Sequence, residues 1–207
     1  MDKKLVAVAA VLVIVVAAVG VYFVMNDEDK EINILGRVNT EGSGLYLKEG
    51  SVVDDYYTIQ DTVPTEGQKY IEYNHKYYVF NVDNWGAKVF GTPGAATIQH
   101  IQLQDFVTNV LGLKFEQYLT GTSLTKDTVY FEKTISSYDK FVNSQSPLTG
   151  SYIWEAQYSL AIEMGCVGLI TSNEMFPGHT CCVVAGSHKY TSAHQDETVR
   201  FLSLIHI

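Results

Sequence analysis

The segment Val89-Phe90-Gly91-Thr92-Pro93-Gly94-Ala95-Ala96-Thr97 carries the clearest chemistry in this chain. A strand that ends in a glycine-rich turn and runs straight into a helix aims several backbone N–H groups at one spot. The positive end of the helix dipole reinforces them, and such a spot holds an anion. Thr92 and Thr97 add hydroxyl donors, and the glycines let a ligand approach the backbone closely. The same residues also suit an ordinary strand-to-helix turn capped by Thr92 or Thr97. No Lys follows Gly94 as a Walker loop requires, and the dinucleotide fingerprint is absent.

A second turn of this design, Thr40-Glu41-Gly42-Ser43-Gly44, follows the first strand-like segment. Two such turns are what a cleft between α/β lobes is lined with, although the Glu41 carboxylate favours an amine-bearing or neutral ligand. Trp154-Glu155 ends another strand, and an aromatic beside a carboxylate suits a cationic or zwitterionic group. Trp on a strand also serves as packing, and Glu at a helix start also complements the dipole. His179, Cys181 and Cys182 invite a metal, but adjacent cysteines lack the separated ligand pairs of a zinc site, so no metal is expected. Cys166, Cys181 and Cys182 are an odd count and read as small buried thiols rather than a disulfide framework. His100, His188 and His194 are expected at solvated helix positions. No nucleophile with a base and an orienting group is placed, so no catalytic residue and no cofactor is assigned.

Alternating elements must position these residues. Strands are expected at 32–38, 77–82, 87–90, 128–132, 150–154, 167–171 and 180–185. Apolar residues at 98, 101, 106, 107, 110 and 111 predict a helix stopped by Gly112. Further helices are expected at 135–142, 156–164 and 187–202, with a first helical turn at 45–48 and a loop over 51–65. The alternation implies an α/β layered fold with a largely parallel sheet in two lobes.

Ahead of this body, Asp2-Lys3-Lys4 precedes an apolar run over 5–25 that Asn26-Asp27-Glu28-Asp29 closes. Such a run is long enough to cross a bilayer as one helix. The lysines place its start in the cytoplasm and the rest of the chain outside. Bulky residues to the end of the run favour an uncleaved anchor over a signal sequence. The chain's formal charge is −9. Without a basic cluster after Lys4 this acidity disfavours nucleic acid as a partner. The 14 tyrosines suit clefts that are half apolar and half wet. Leu204-Ile205-His206-Ile207 holds no helix stop or polar tail, so a longer natural chain is expected.

Four segments taken in order carry a family likeness. Lys88-Val89-Phe90-Gly91-Thr92-Pro93-Gly94-Ala95, Gly150-Ser151-Tyr152-Ile153-Trp154-Glu155-Ala156-Gln157-Tyr158, Phe176-Pro177-Gly178-His179-Thr180-Cys181-Cys182-Val183-Val184 and Thr198-Val199-Arg200-Phe201-Leu202 resemble the substrate-binding proteins of nitrate, sulfonate and taurine type ABC importers. The resemblance implies a two-lobed periplasmic-binding-protein fold of type II after one transmembrane helix. Residues 1–26 would be the anchor, 27–86 with 173–207 an incomplete first lobe, and 87–172 the second. It implies a non-enzymatic role in which a small polar, oxyanionic solute closes between the lobes and passes to a membrane permease driven by a cytoplasmic ATPase. The ligand contacts it implies are Thr40, Ser43, Gly44, Thr92, Gly94, Thr97, Trp154 and Glu155. An enzyme of the same fold, acting on a small heterocycle or a sulfinate, and a tethered ligand-sensing domain are the alternatives.

Overall fold

The computed structural model describes residues 31–39, 42–180 and 182–205. In chain order the elements are β1 (Ile32–Asn39), β2 (Ser43–Leu47), β3 (Tyr57–Gln60), β4 (Lys69–Tyr73), β5 (Lys76–Phe80), β6 (Val89–Gly91), α1 (Ile98–Asp105), β7 (Lys114–Gln117), β8 (Thr128–Glu132), α2 (Tyr138–Val142), β9 (Gly150–Trp154), α3 (Glu155–Glu163), β10 (Val167–Thr171), α4 (Ser172–Met175), β11 (Cys182–Ser187), α5 (His188–Ala193) and α6 (Gln195–Ile205). Among the described residues, contacts divide the chain into a larger unit, 42–180, and a smaller one made of 31–39 with 182–205. Segment 43–86 therefore belongs to the same compact unit as 87–172.

The larger unit is built on a six-stranded sheet in the order β10-β2-β9-β6-β8-β7. Strands β9, β6, β8 and β7 run parallel, as the alternation of elements implies. Strand β2 runs against both β9 and β10, so the sheet is mixed. The helical turn expected at 45–48 is instead the end of this strand. All five β2 residues are buried. Leu45 and Leu47 enter one apolar layer and Tyr46 the other. A strand covered on both faces shows no polar alternation, which hides it in the sequence.

The layer beneath α1 centres on Trp85, fully buried, with Phe106 at 5.3 Å, Tyr56 at 5.4 Å, Phe90 at 5.8 Å and Phe80 at 6.0 Å between ring centroids. Its indole N–H donates to Tyr56 O at 3.1 Å, so burial leaves no polar group unpaired. Part of that layer comes from a small antiparallel sheet, β3-β5-β4. The β4–β5 hairpin turns on Asn74 (φ 51°) and His75 (φ 59°), the two left-handed positions of a tight turn that twists with its strands. β3 lies within the stretch expected to be loop. Only Tyr57 of its four residues is buried, which leaves a weak edge-strand signal.

Helix α1 continues as a wider π-helical stretch, Phe106–Leu111, and Gly112 at φ 73° ends it as expected. In the smaller unit β1 pairs antiparallel with β11. The helix expected over 187–202 is broken at His194, so α5 and α6 are separate. Among the described residues no helix is long and apolar enough to cross a membrane. The run over 5–25, expected to be an anchor, lies outside the described residues.

Gly150 tests the register of the central strands. A Cβ at this position would overlap the carbonyl oxygen of Tyr46 on β2. Gly150→Ala is expected to lower stability by about 3 kcal/mol, read as a reduced urea midpoint at unchanged slope.

Candidate functional site

Strand β6 leaves the sheet at Gly91, where a Cβ would stand 2.7 Å from the Ile135 side chain, so only glycine fits. The next residue is clamped to the segment after β8. Thr92 N–H donates to Glu132 O at 2.9 Å, and Ile135 N–H donates to Thr92 O at 2.9 Å. Between those bonds Thr134 adopts φ 79°, a strained value for a β-branched residue. The chain then turns through Pro93 and Gly94 (φ 142°) into α1. Thr97 is the cap: its Oγ1 accepts from His100 N–H at 3.3 Å and donates to Gly94 O at 2.7 Å. The N–H groups of Gly94, Ala95 and Ala96 have no hydrogen-bond partner among the described residues. Ala95 and Ala96 are exposed. Three unpaired amides thus lie in the turn just ahead of the Thr97 cap of α1.

A buried polar layer supports this turn. Gln99 Nε2 donates to Ser43 Oγ at 3.0 Å. Thr92 Oγ1 and His100 Nδ1 are 3.1 Å apart. Tyr152 OH donates to Gln102 Oε1 at 3.0 Å, and Ser151 Oγ donates to Gly91 O at 3.0 Å. Ser43, Thr92, Gln99, His100, Gln102 and Ser151 are all buried. His100 is therefore not the solvated helix position expected of it, and burial lowers its pKa from the ordinary imidazole value. The apolar positions used to find this helix mislead at its start, because Ile98 and Ile101 face solvent while the polar side chains face the sheet.

The mixed sheet gathers the remaining candidates at the same edge of the larger unit. Antiparallel pairing sets Ser43 opposite Trp154 and Gly44 opposite both Ile153 and Thr171. Trp154 is 37% exposed. Glu155, also exposed, donates its N–H to Gly42 O at 2.8 Å and accepts from Ser159 Oγ at 2.7 Å. Gly44 lies under the ring of Tyr158, which occupies the space a Cβ would need. Burial, with Glu174 and Glu155 nearby, raises the Tyr158 pKa. Tyr78 donates to Glu174 Oε1 at 3.0 Å, and burial followed by that carboxylate pushes its pKa up to about 12. Ser43 and Thr92 have their hydroxyls engaged by Gln99 and His100, so they form the floor of the turn. Trp154 closes β9 opposite Ser43 and Glu155 opens α3, while Thr97 caps α1. Thr40 lies outside the described residues. The sequence points to backbone amides in this turn but not to the support from Gln99, His100 and Gln102. The one available signal was the run of polar residues at 99, 100 and 102 inside a helix otherwise read as apolar.

Away from this edge, a cavity of about 360 Å³ is lined by Lys48, Glu49, Phe141, Ser146, Met164 and Cys166 among others. Cys166 is a free, half-buried thiol, and burial raises its pKa, which opposes nucleophilic character. Among the described residues no three His, Cys, Asp or Glu side chains are grouped to hold a metal ion. Cys181 and the Cys182 side chain lie outside the described part.

No family model matches the sequence, and no curated protein matches it. Among solved structures the fold is similar to the ligand-binding component of an ABC-type import system from Staphylococcus aureus with zinc bound. That similarity has a TM-score of 0.45 at 13% identity and covers 81% of this chain and 45% of the other. The chain thus spans less than half the length of that protein.

The cap is separable from the rest of the site. Thr97→Ala is expected to lower stability by about 1 kcal/mol, whereas Thr97→Ser stays within a few tenths, as measured by chemical denaturation.

Proposed function

We propose that this chain is the solute-capturing component of an ABC importer, holding a small polar oxyanion of the nitrate, sulfonate or taurine kind without chemical change. The observation that carries the proposal is the set of unpartnered amides of Gly94, Ala95 and Ala96 in the turn just ahead of α1. Backbone N–H groups held by a rigid turn bind an anion with little reorganisation, and the helix dipole adds to the field there. Trp154 and Glu155, at the end of β9, suit a ligand that is not a bare anion. Trp154 gives a flat apolar surface, and Glu155 favours an amine if the solute carries one. The four sequence segments that resemble importer binding proteins support the transport role. In this reading the apolar run over 5–25 tethers the body outside the cell, and a membrane permease with a cytoplasmic ATPase receives the solute.

The test is a melting-temperature and calorimetric screen of the full chain against nitrate, ethanesulfonate, 2-aminoethanesulfonate and bicarbonate, with glycerol and ethylamine as uncharged and cationic controls. A ligand that binds the native state alone stabilises it by about 2.7 kcal/mol at a hundredfold excess over Kd. The expected outcome is such a shift with at least one oxyanion, recovery of that ligand unchanged, and loss of the shift in Gly94→Val, which cannot hold φ 142°. Binding confined to the controls, turnover of the ligand, or oxyanion binding indifferent to Gly94→Val would contradict the proposal.

A further inference from the structure

We infer that His100 is a positioning residue for the anion turn, fastening both of its ends and so fixing where the amides of Gly94, Ala95 and Ala96 stand; this inference rests on the oxyanion reading above. The side chain and the backbone of His100 each hold one end. Nδ1 lies 3.1 Å from Thr92 Oγ1, at the start of the turn. The backbone N–H donates to Thr97 Oγ1, at its finish. Gly94 is two residues beyond Thr92, at most about 7 Å of chain, so a shift of Thr92 carries directly into the amides.

The surroundings hold the ring in one place and in one charge state. His100 is 5% exposed. Phe131 meets the ring edge-on at 4.6 Å and Phe115 lies at 5.4 Å. The elements packed here carry Asp105 on α1, Lys114 and Glu116 on β7, and Glu132 on β8. Lys114 is paired with Asp127, and Glu132 accepts from Ser146 Oγ. None of these groups contributes to the lowered pKa, whose cause is burial alone. A cation buried without a counter-ion is disfavoured, so the imidazole is neutral at pH 7 and acts on Thr92 as a hydrogen-bond partner. The sign for stability follows. With the folded-state pKa depressed, this group costs nothing above about pH 6.5, and stability is lost as pH falls from there towards the folded-state value.

Two substitutions separate positioning from packing. His100→Phe fills the aromatic pocket but cannot bond Thr92, whereas His100→Asn places a polar atom near the Nδ1 position and leaves a void. With an oxyanion from the screen above as probe, His100→Phe is expected to melt earlier, because the buried Thr92 hydroxyl loses its partner, and to bind roughly tenfold more weakly or worse, one lost hydrogen bond's worth. His100→Asn is expected to melt earlier yet hold affinity within about threefold. Wild-type affinity should be flat between about pH 6.5 and pH 8, since the imidazole does not titrate there. Full affinity in His100→Phe would overturn the inference. So would affinity that rises on acidification through this range in wild type but not in His100→Asn, which would make His100 a charged contact instead. A wild-type chain that binds no oxyanion removes the functional reading itself, an outcome distinct from either.

Discussion

Helix α1 rests on the six-stranded sheet through Gln99, His100 and Gln102, and each of these side chains must find a hydrogen bond there. An unpaired buried polar group costs about 1–3 kcal/mol, so the helix cannot rotate or slide without that penalty. The partners come from separate places: Ser43 on β2, Thr92 in the turn after β6, and Tyr152 on β9. Apolar contacts through Leu103, Phe106 and Val107 continue the same face towards Trp85. Packing supplies the burial, and the directional bonds choose one orientation. The position of the Gly94 to Ala96 amides is a consequence of that choice.

The reversed strand β2 has a second effect. An antiparallel strand between β9 and β10 brings its own N-terminal end to the edge where the parallel strands finish. Ser43 and Gly44 thereby meet Trp154 and Thr171, and residues far apart in sequence share one rim. Glycine at 44 seats the Tyr158 ring, and glycine at 91 admits Ile135. Both glycines are needed for close packing of this edge. Gly94 differs from them: nothing lies within 4 Å of a Cβ there, and its φ of 142° is the reason for glycine.

The sequence was most legible where one signal decided the outcome. Strands β8, β9 and β10 fall where they were expected, because runs such as Thr128–Glu132 and Val167–Thr171 combine strand-forming residues with turns on either side. The termination at Gly112 and the strand, glycine turn and helix order around Thr92 were equally readable. Legibility failed where burial and polarity part company. Strand β2 is covered on both faces and resembles a helix turn. Helix α1 buries Gln99 and His100 and exposes Ile98 and Ile101, so apolar periodicity points to the wrong face. The β4–β5 hairpin turns on Asn74-His75 without the glycine that usually marks such a turn. The edge strand β7, Lys114–Gln117, exposes three of its four residues and offers no alternation. Of the candidate residues, Ser43 and Trp154 are neighbours because β2 pairs with β9, a pairing that no local pattern announces. The hydroxyls of Ser43 and Thr92 proved to be committed to side chains that only the tertiary structure brings near.

The central claim is that the anion contacts the backbone of the turn before α1. Amide chemical shifts of the isotopically labelled full chain, followed while ethanesulfonate or nitrate is added, test it most directly. The account predicts saturable downfield shifts of the Gly94, Ala95 and Ala96 N–H signals, with smaller changes at Thr97 and Trp154, as free donors acquire a charged acceptor. Saturable shifts confined to the cavity lined by Lys48 and Cys166, with the turn unmoved, would contradict it.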